Sequence, residues 1–235
     1  MRNSYSPPRS TAYAEHGMAC TSHPAASMTA IDILRAGGNA MDAAVAAAAT
    51  LAVVEPMSTG VGGDVFCLYA PKGTANVIAY NGSGRAPGAA NAEWFLENGI
   101  KSFGTESPHA VTVPGTIDAW CRLVEDHGNL EIGEVLRPAI HHAAEGYTIA
   151  PVVHESWVDA EARLSRDANA KNILLVGGHA PSLGSKHTQP LLAKTMEAVA
   201  AKGRDGFYTG WVAEDIVGYL NELGGLHTLD DFAAA

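Results

Sequence analysis

Ile33-Leu34-Arg35-Ala36-Gly37-Gly38-Asn39-Ala40-Met41-Asp42-Ala43-Ala44-Val45-Ala46 is the stretch on which the reading of the fold turns. Its pair of glycines ends one helical pattern, and an asparagine able to cap free N–H groups begins another. Upstream, Pro24 suits a first helical turn, and Met28, Ile31 and Leu34 recur at three-residue steps, so Pro24 to Arg35 reads as a helix. Downstream, Asn39 serves as N-cap for a second helix, Met41 to about Val54, which Glu55-Pro56 closes. Its many alanines allow close backbone approach, so a buried helix packed on a sheet is expected.

Working outward, Ser58-Thr59-Gly60-Val61-Gly62-Gly63-Asp64 is a loop. Val65 to Tyr69 and Asn76 to Tyr80 then read as two strands joined through Pro71-Lys72-Gly73. A short strand is expected from His109 to Val113, closed by Pro114-Gly115. Helical patterns come next at Thr116 to Asp126, Ile132 to Glu145, Pro151 to Leu164, Thr188 to Ala201 and Val212 to Leu223, the last stopped by Gly224-Gly225. The chain thus divides into a helix and sheet part, residues 17–115, and a mainly helical part, residues 116–235. No repeat, linker or low-complexity segment separates them.

Composition limits the function classes. With 235 residues, 47% hydrophobic and 17% charged, the chain can bury a large core. A net charge of -10 and a pI near 5.4 argue against nucleic acid or an anionic membrane as partner. The most apolar run, Ala40 to Val54, carries Asp42 and is too short to span a bilayer of about 30 Å. Residues 1–10 contain no apolar leader region, so a cytoplasmic protein is the expectation. Cys20, Cys67 and Cys121 are widely spaced among apolar neighbours and are expected to be buried thiols.

The richest loop is Asn81-Gly82-Ser83-Gly84-Arg85-Ala86-Pro87-Gly88. It echoes the start of a dinucleotide fingerprint but places Pro87 where a third glycine is needed, and no helix opens directly behind it. No Walker lysine accompanies Gly60 to Gly63 either. The loop offers the Arg85 guanidinium on a glycine turn, suited to a carboxylate or a polarised carbonyl. An exposed arginine on a hairpin corner is the alternative. His141, His142 and Glu145 have metal-ligand spacing, yet three ligands from one short helix seldom complete a site, so no metal or other cofactor is expected. Nor is there a Gly-x-Ser-x-Gly elbow or a cysteine in a basic setting to act as nucleophile.

Several motifs in order, His16-Gly17-Met18-Ala19-Cys20, the stretch from Ile33 to Ala46, Val53-Val54-Glu55-Pro56, Gly62-Gly63-Asp64-Val65-Phe66, Arg85-Ala86-Pro87, Val113-Pro114-Gly115-Thr116, Arg137-Pro138-Ala139 and Asp205-Gly206-Phe207-Tyr208-Thr209-Gly210, resemble the γ-glutamyltranspeptidase family. The resemblance extends from Gly17 through Gly224-Gly225-Leu226 and Leu229-Asp230-Asp231-Phe232. It implies an α+β, αββα N-terminal-nucleophile hydrolase sandwich, of which this chain is the large-subunit portion. It also implies a proenzyme that cuts itself, so that a threonine beyond this chain begins a small subunit and becomes the nucleophile. The expected partners are that missing C-terminal portion and a small-molecule amide or γ-glutamyl substrate, and the chain alone is expected to be inactive. A non-catalytic binding protein of the same fold is the alternative.

The resemblance also bears on the loop: it implies that the loop lines the acyl pocket, with Ser83, Gly84 and Arg85 as candidate substrate-binding residues. In glutathione-cleaving members an arginine of an Asp-Phe-Arg-Glu type stretch holds the α-carboxylate of the γ-glutamyl group, and counting back from Ala86-Pro87 its position is Ser83 here. A neutral hydroxyl cannot replace a bidentate guanidinium. The Asn-Gly-Ser-Gly-Arg-Ala-Pro form resembles instead the branch that includes oxamate-type and other acyl-amide hydrolases.

Overall fold

The computed structural model describes residues 11–235; the leader reading of residues 1–10 lies outside them. Helix α1, Pro24–Arg35, has Pro24 in its first turn, and the His23 ring accepts the Ala25 N–H as N-cap at 3.1 Å. Its buried face is Ala26, Thr29, Ala30 and Ile33, while Met28 is exposed. The repeat of Met28, Ile31 and Leu34 marks the helix, and its packed face is set by the alanines with Thr29 and Ile33, because small residues admit a neighbouring helix closely.

That neighbour is α2, Ala40–Val54. Asn39 caps it as anticipated, accepting the Met41 N–H at 2.8 Å, while Asp42 reaches back to the Asn39 N–H at 2.8 Å to form a capping box. The helix is buried on nearly every side. It packs chiefly against α1 and against α5, Ile132–Glu145, not against a sheet as expected. Alanine lets three helical backbones approach together, which accounts for both the composition and the all-helical surroundings.

The Asp42 carboxylate also ties α2 to the chain after α4, Thr116–His127. Fully buried, it accepts the N–H groups of Asn129 at 2.9 Å and Leu130 at 3.3 Å, and the Asn39 amide donates to the His127 carbonyl at 2.6 Å. A buried carboxylate is tolerated because each oxygen is hydrogen-bonded.

The sheet content is small. Strand β1, Val65–Tyr69, pairs antiparallel with β2, Ile78–Gly82, in the register Val65 to Gly82 and Tyr69 to Ile78. Strand β2 thus lies two residues beyond the expected Asn76 to Tyr80. The ladder takes in Gly82, which reads as turn in the sequence, and leaves Asn76 bound to the Thr74 hydroxyl at 3.2 Å in the connection. One face of the hairpin, with Cys67 and Tyr80, leans on the helical body; the other exposes Phe66 (71%) and Leu68 (79%). The expected strand at His109 to Val113 is instead a 3-10 turn, Pro108–Ala110, followed by extended chain, because Pro108 and the Ser107 cap favour a turn.

Short helices α3, Ala92–Glu97, α7, Ala168–Leu174, α9, Asp205–Tyr208, and α11, Leu229–Ala233, join the longer α6, Pro151–Leu164, α8, Pro190–Lys202, and α10, Gly210–Glu222. Strands β3, Tyr147–Thr148, and β4, Lys186–His187, form a second small antiparallel pair. The chain is α+β with a mostly helical second half. Among the described residues no helix is long and apolar enough to cross a membrane. Buried thiols are not what the cysteines show: Cys20 is exposed, and Cys67 and Cys121 are half-buried. Cys20 lies on an extended segment outside α1, whereas burial pushes the Cys121 thiol up to about 12.

Substitution at Asp42 and on the exposed hairpin face should have opposite consequences. Asp42→Ala leaves three N–H groups without their acceptor and should cost about 3 kcal/mol, read as a lowered denaturation midpoint, with Asp42→Asn losing less. Phe66→Ser with Leu68→Ser should reduce self-association of the 235-residue chain in light scattering without lowering its melting temperature, because neither side chain is part of the core.

Candidate functional site

The loop from Asn81 to Gly88 leaves the end of β2 and is locked against the segment before α4 by glycines. A Cβ on Gly84 would lie 1.5 Å from the Val113 carbonyl oxygen, and one on Gly115 would lie 2.1 Å from the Gly82 carbonyl oxygen. No side chain fits at either place. The Val113 N–H donates to the Arg85 carbonyl at 2.9 Å, so two segments separated in sequence run in direct backbone contact.

A third segment completes the arrangement. The Gly63 carbonyl accepts the N–H groups of Gly115 and Thr116, each at 3.0 Å, at the start of α4. The neighbouring Asp64 carboxylate accepts the Gly84 N–H at 3.0 Å, and the Asn81 side chain accepts the Ser83 N–H at 3.0 Å. Two consecutive loop N–H groups are therefore already engaged by protein oxygens. A cradle for phosphate would need such groups free.

Ser83, Gly84 and Arg85, the three candidates from the sequence, lie together on the wall of a cavity of about 400 Å³. Arg85 is exposed and, among the described residues, forms no ion pair, whereas Arg122 and Arg204 both engage Asp118. Asp118 lines the cavity with its charge thus committed. Beside it, burial first and then the Asp118 charge push the Tyr80 hydroxyl up, so Tyr80 remains a neutral phenol. Tyr208 fixes the floor: its hydroxyl donates to the Pro114 carbonyl at 2.5 Å and accepts the Asp118 N–H at 3.1 Å.

The opposite rim comes from α11. Asp231 accepts the Gly88 N–H at 2.9 Å and the Thr228 N–H at 2.9 Å. Partial burial alone would raise its carboxyl, and the hydrogen bonds from Thr228 and Gly88 outweigh that, holding it below the usual carboxylate range. Asp230 stands next to it on the rim, exposed. Among the described residues, the cationic side chain lining the cavity is Arg85, which has no ion-pair partner there, and the carboxylates of Asp118, Asp230 and Asp231 line it as well.

Sequence reasoning missed Asp64, Asp118 and Asp231. For Asp64 a signal was present, a side chain with an oxygen directly behind a glycine pair. Asp231 sits at the end of a Thr228-x-x-Asp231 capping box, also visible. Nothing local announced Asp118, whose partners come from a turn of its own helix and from α9's N-cap residue Arg204. His141 and Glu145 are exposed and His142 half-buried, and no group of three metal-ligating side chains is assembled among the described residues.

Residues 26–235 match the family described as Gamma-glutamyltranspeptidase. The chain is 38% identical over 219 residues to the glutathione hydrolase-like YwrD proenzyme of Bacillus subtilis, covering 92% of this chain and 41% of that protein. It is 35% identical to the oxamate amidohydrolase proenzyme of Klebsiella pneumoniae, covering 93% of this chain and 42% of that one. The crystal structure of cephalosporin acylase from Bacillus halodurans superposes with a TM-score of 0.91 at 35% identity, over 100% of this chain and 45% of that one. The chain spans less than half the length of the curated relatives it matches. With ordered motifs, an α+β fold shared with these proteins and a family match over nearly its whole length, the chain belongs to the gamma-glutamyltranspeptidase family.

Proposed function

We propose that this chain is the large-subunit portion of an amide hydrolase or acyltransferase whose nucleophile, an N-terminal threonine released by self-cleavage, lies in the length of its relatives that the chain does not span. The relatives' names as proenzymes support this reading. Its partner is then the small-subunit portion, and the exposed Phe66 and Leu68 face of the hairpin is the surface such a portion would cover. In this reading the cavity beside the Asn81 to Gly88 loop is the acyl pocket.

The observation that carries the reading is the guanidinium of Arg85, without an ion-pair partner among the described residues, on a loop that lines the cavity and is hydrogen-bonded to Val113. Arg85 anchors a carboxylate on the acyl donor, which fixes the donor's amide carbonyl for attack. The threonine attacks that carbonyl, the amine leaves, and water or a second amine releases the acyl group. Ser83 stands where glutathione-cleaving relatives carry arginine, so in this pocket the donor's carboxylate falls to Arg85, two residues on, and the reading favours an acyl-amide hydrolase.

Kinetics of the full-length, processed protein test this. Arg85→Lys keeps the charge and loses the planar fork, so kcat/KM for a carboxylate-bearing donor should fall roughly ten- to a hundredfold, with a neutral donor much less affected. Ser83→Arg should raise relative activity toward γ-glutamyl donors. Equal effects of Arg85→Lys on charged and neutral donors would reduce Arg85 to a hairpin-corner residue. The 235-residue chain alone should show no turnover of a chromogenic anilide.

A further inference from the structure

We propose that Asp64 is a positioning residue that sets donor specificity: by holding the Gly84 N–H, it fixes the direction in which Arg85 presents its guanidinium. This rests on the reading of Arg85 as carboxylate anchor. The loop needs such a clamp. Gly82 and Gly84 are required for close packing, yet glycine gives the chain its widest backbone freedom, and Arg85 comes directly after. Its conformation must therefore be imposed by bonds from outside.

Asp64 is placed to impose it. The Asp64 oxygen accepts the Gly84 N–H at 3.0 Å across twenty residues of sequence, and the peptide it restrains is the one that leads into Arg85. Asp64 is itself held, because the carbonyl of the preceding Gly63 receives the Gly115 and Thr116 N–H groups at 3.0 Å. Of the other bonds, Val113 holds the Arg85 carbonyl on the far side of that residue, so Asp64 restrains the side by which the chain enters Arg85, while Asn81 acts on Ser83 from within the same turn and Asp231 on Gly88. A carboxylate is the stronger acceptor for such an N–H, and asparagine keeps one oxygen in the same place.

The test uses the full-length, processed protein and two donors with the same p-nitroanilide leaving group. The γ-glutamyl donor carries an α-carboxylate, and the γ-aminobutyryl donor is the same molecule without it. In Asp64→Ala the ratio of kcat/KM for the two donors should fall about five- to tenfold, mainly through KM for the γ-glutamyl donor, and Asp64→Asn should restore most of it. An unchanged ratio in Asp64→Ala overturns the proposal, as does an equal loss on both donors, which marks a general folding role. Arg85→Ala separates the two readings. If it leaves the ratio unchanged, the anchor itself has failed; if it collapses the ratio while Asp64→Ala does not, only the role of Asp64 has. Should Asp64→Ala not fold, hydrogen exchange at the Gly84 amide of the wild-type protein decides: protection supports the clamp, and exchange at the rate of a free amide overturns it.

Discussion

The site depends on a contact that no side chain could occupy. At Gly84 the backbone lies against the Val113 carbonyl, where a Cβ would stand 1.5 Å from the oxygen, and at Gly115 it lies against Gly82. Three stretches, residues 63–64, 82–85 and 113–116, are thereby drawn into one hub of backbone hydrogen bonds. The start of α4, the end of β2 and the loop carrying Arg85 meet at that hub. Substitution of either glycine would have to separate strand from helix before it could be accommodated.

Behind the hub stands a helical body organised by a second polar constraint. Asp42, fully buried, closes the cap of α2 and takes two N–H groups from the chain after α4. The helix that supports α2 on its other sides, α5, approaches α8 closely enough that a Cβ on Gly133 would lie 3.0 Å from the Ala200 carbonyl oxygen. Small residues bring the backbones together, and one carboxylate registers them. The chain just after α4 is tied to Asp42 and the start of α4 to Gly63, so the helical body meets the cavity wall through α4.

Much of this is legible where punctuation is strong. Pro24, the Gly37-Gly38 pair and Asn39 bound α1 and α2, and Pro151 opens α6 where expected. Legibility fails where tertiary packing overrides local pattern. Met28 belongs to the repeat that marks α1 and is nonetheless exposed, since the alanine face packs instead. Gly82 reads as turn and is strand, since its missing side chain makes room for Ala119, which a Cβ there would approach to 2.7 Å. Helices as short as α9 and α11 have too few turns to show a period. At the site, adjacent Ser83, Gly84 and Arg85 can be read together, whereas Asp64, Asp118 and Asp231 meet them only after folding. The family is legible because its motifs keep their order along the chain.

The central claim is that this hub presents Arg85 as the carboxylate anchor of an acyl pocket. A crystal structure of the full-length, processed protein soaked with a dicarboxylic acyl product, glutarate, tests it most directly. The predicted result is a bidentate pair between the Arg85 guanidinium and one carboxylate at about 2.7–2.9 Å, with the Val113 to Arg85 backbone bond intact. Glutarate bound elsewhere, with Arg85 directed into solvent, would contradict it.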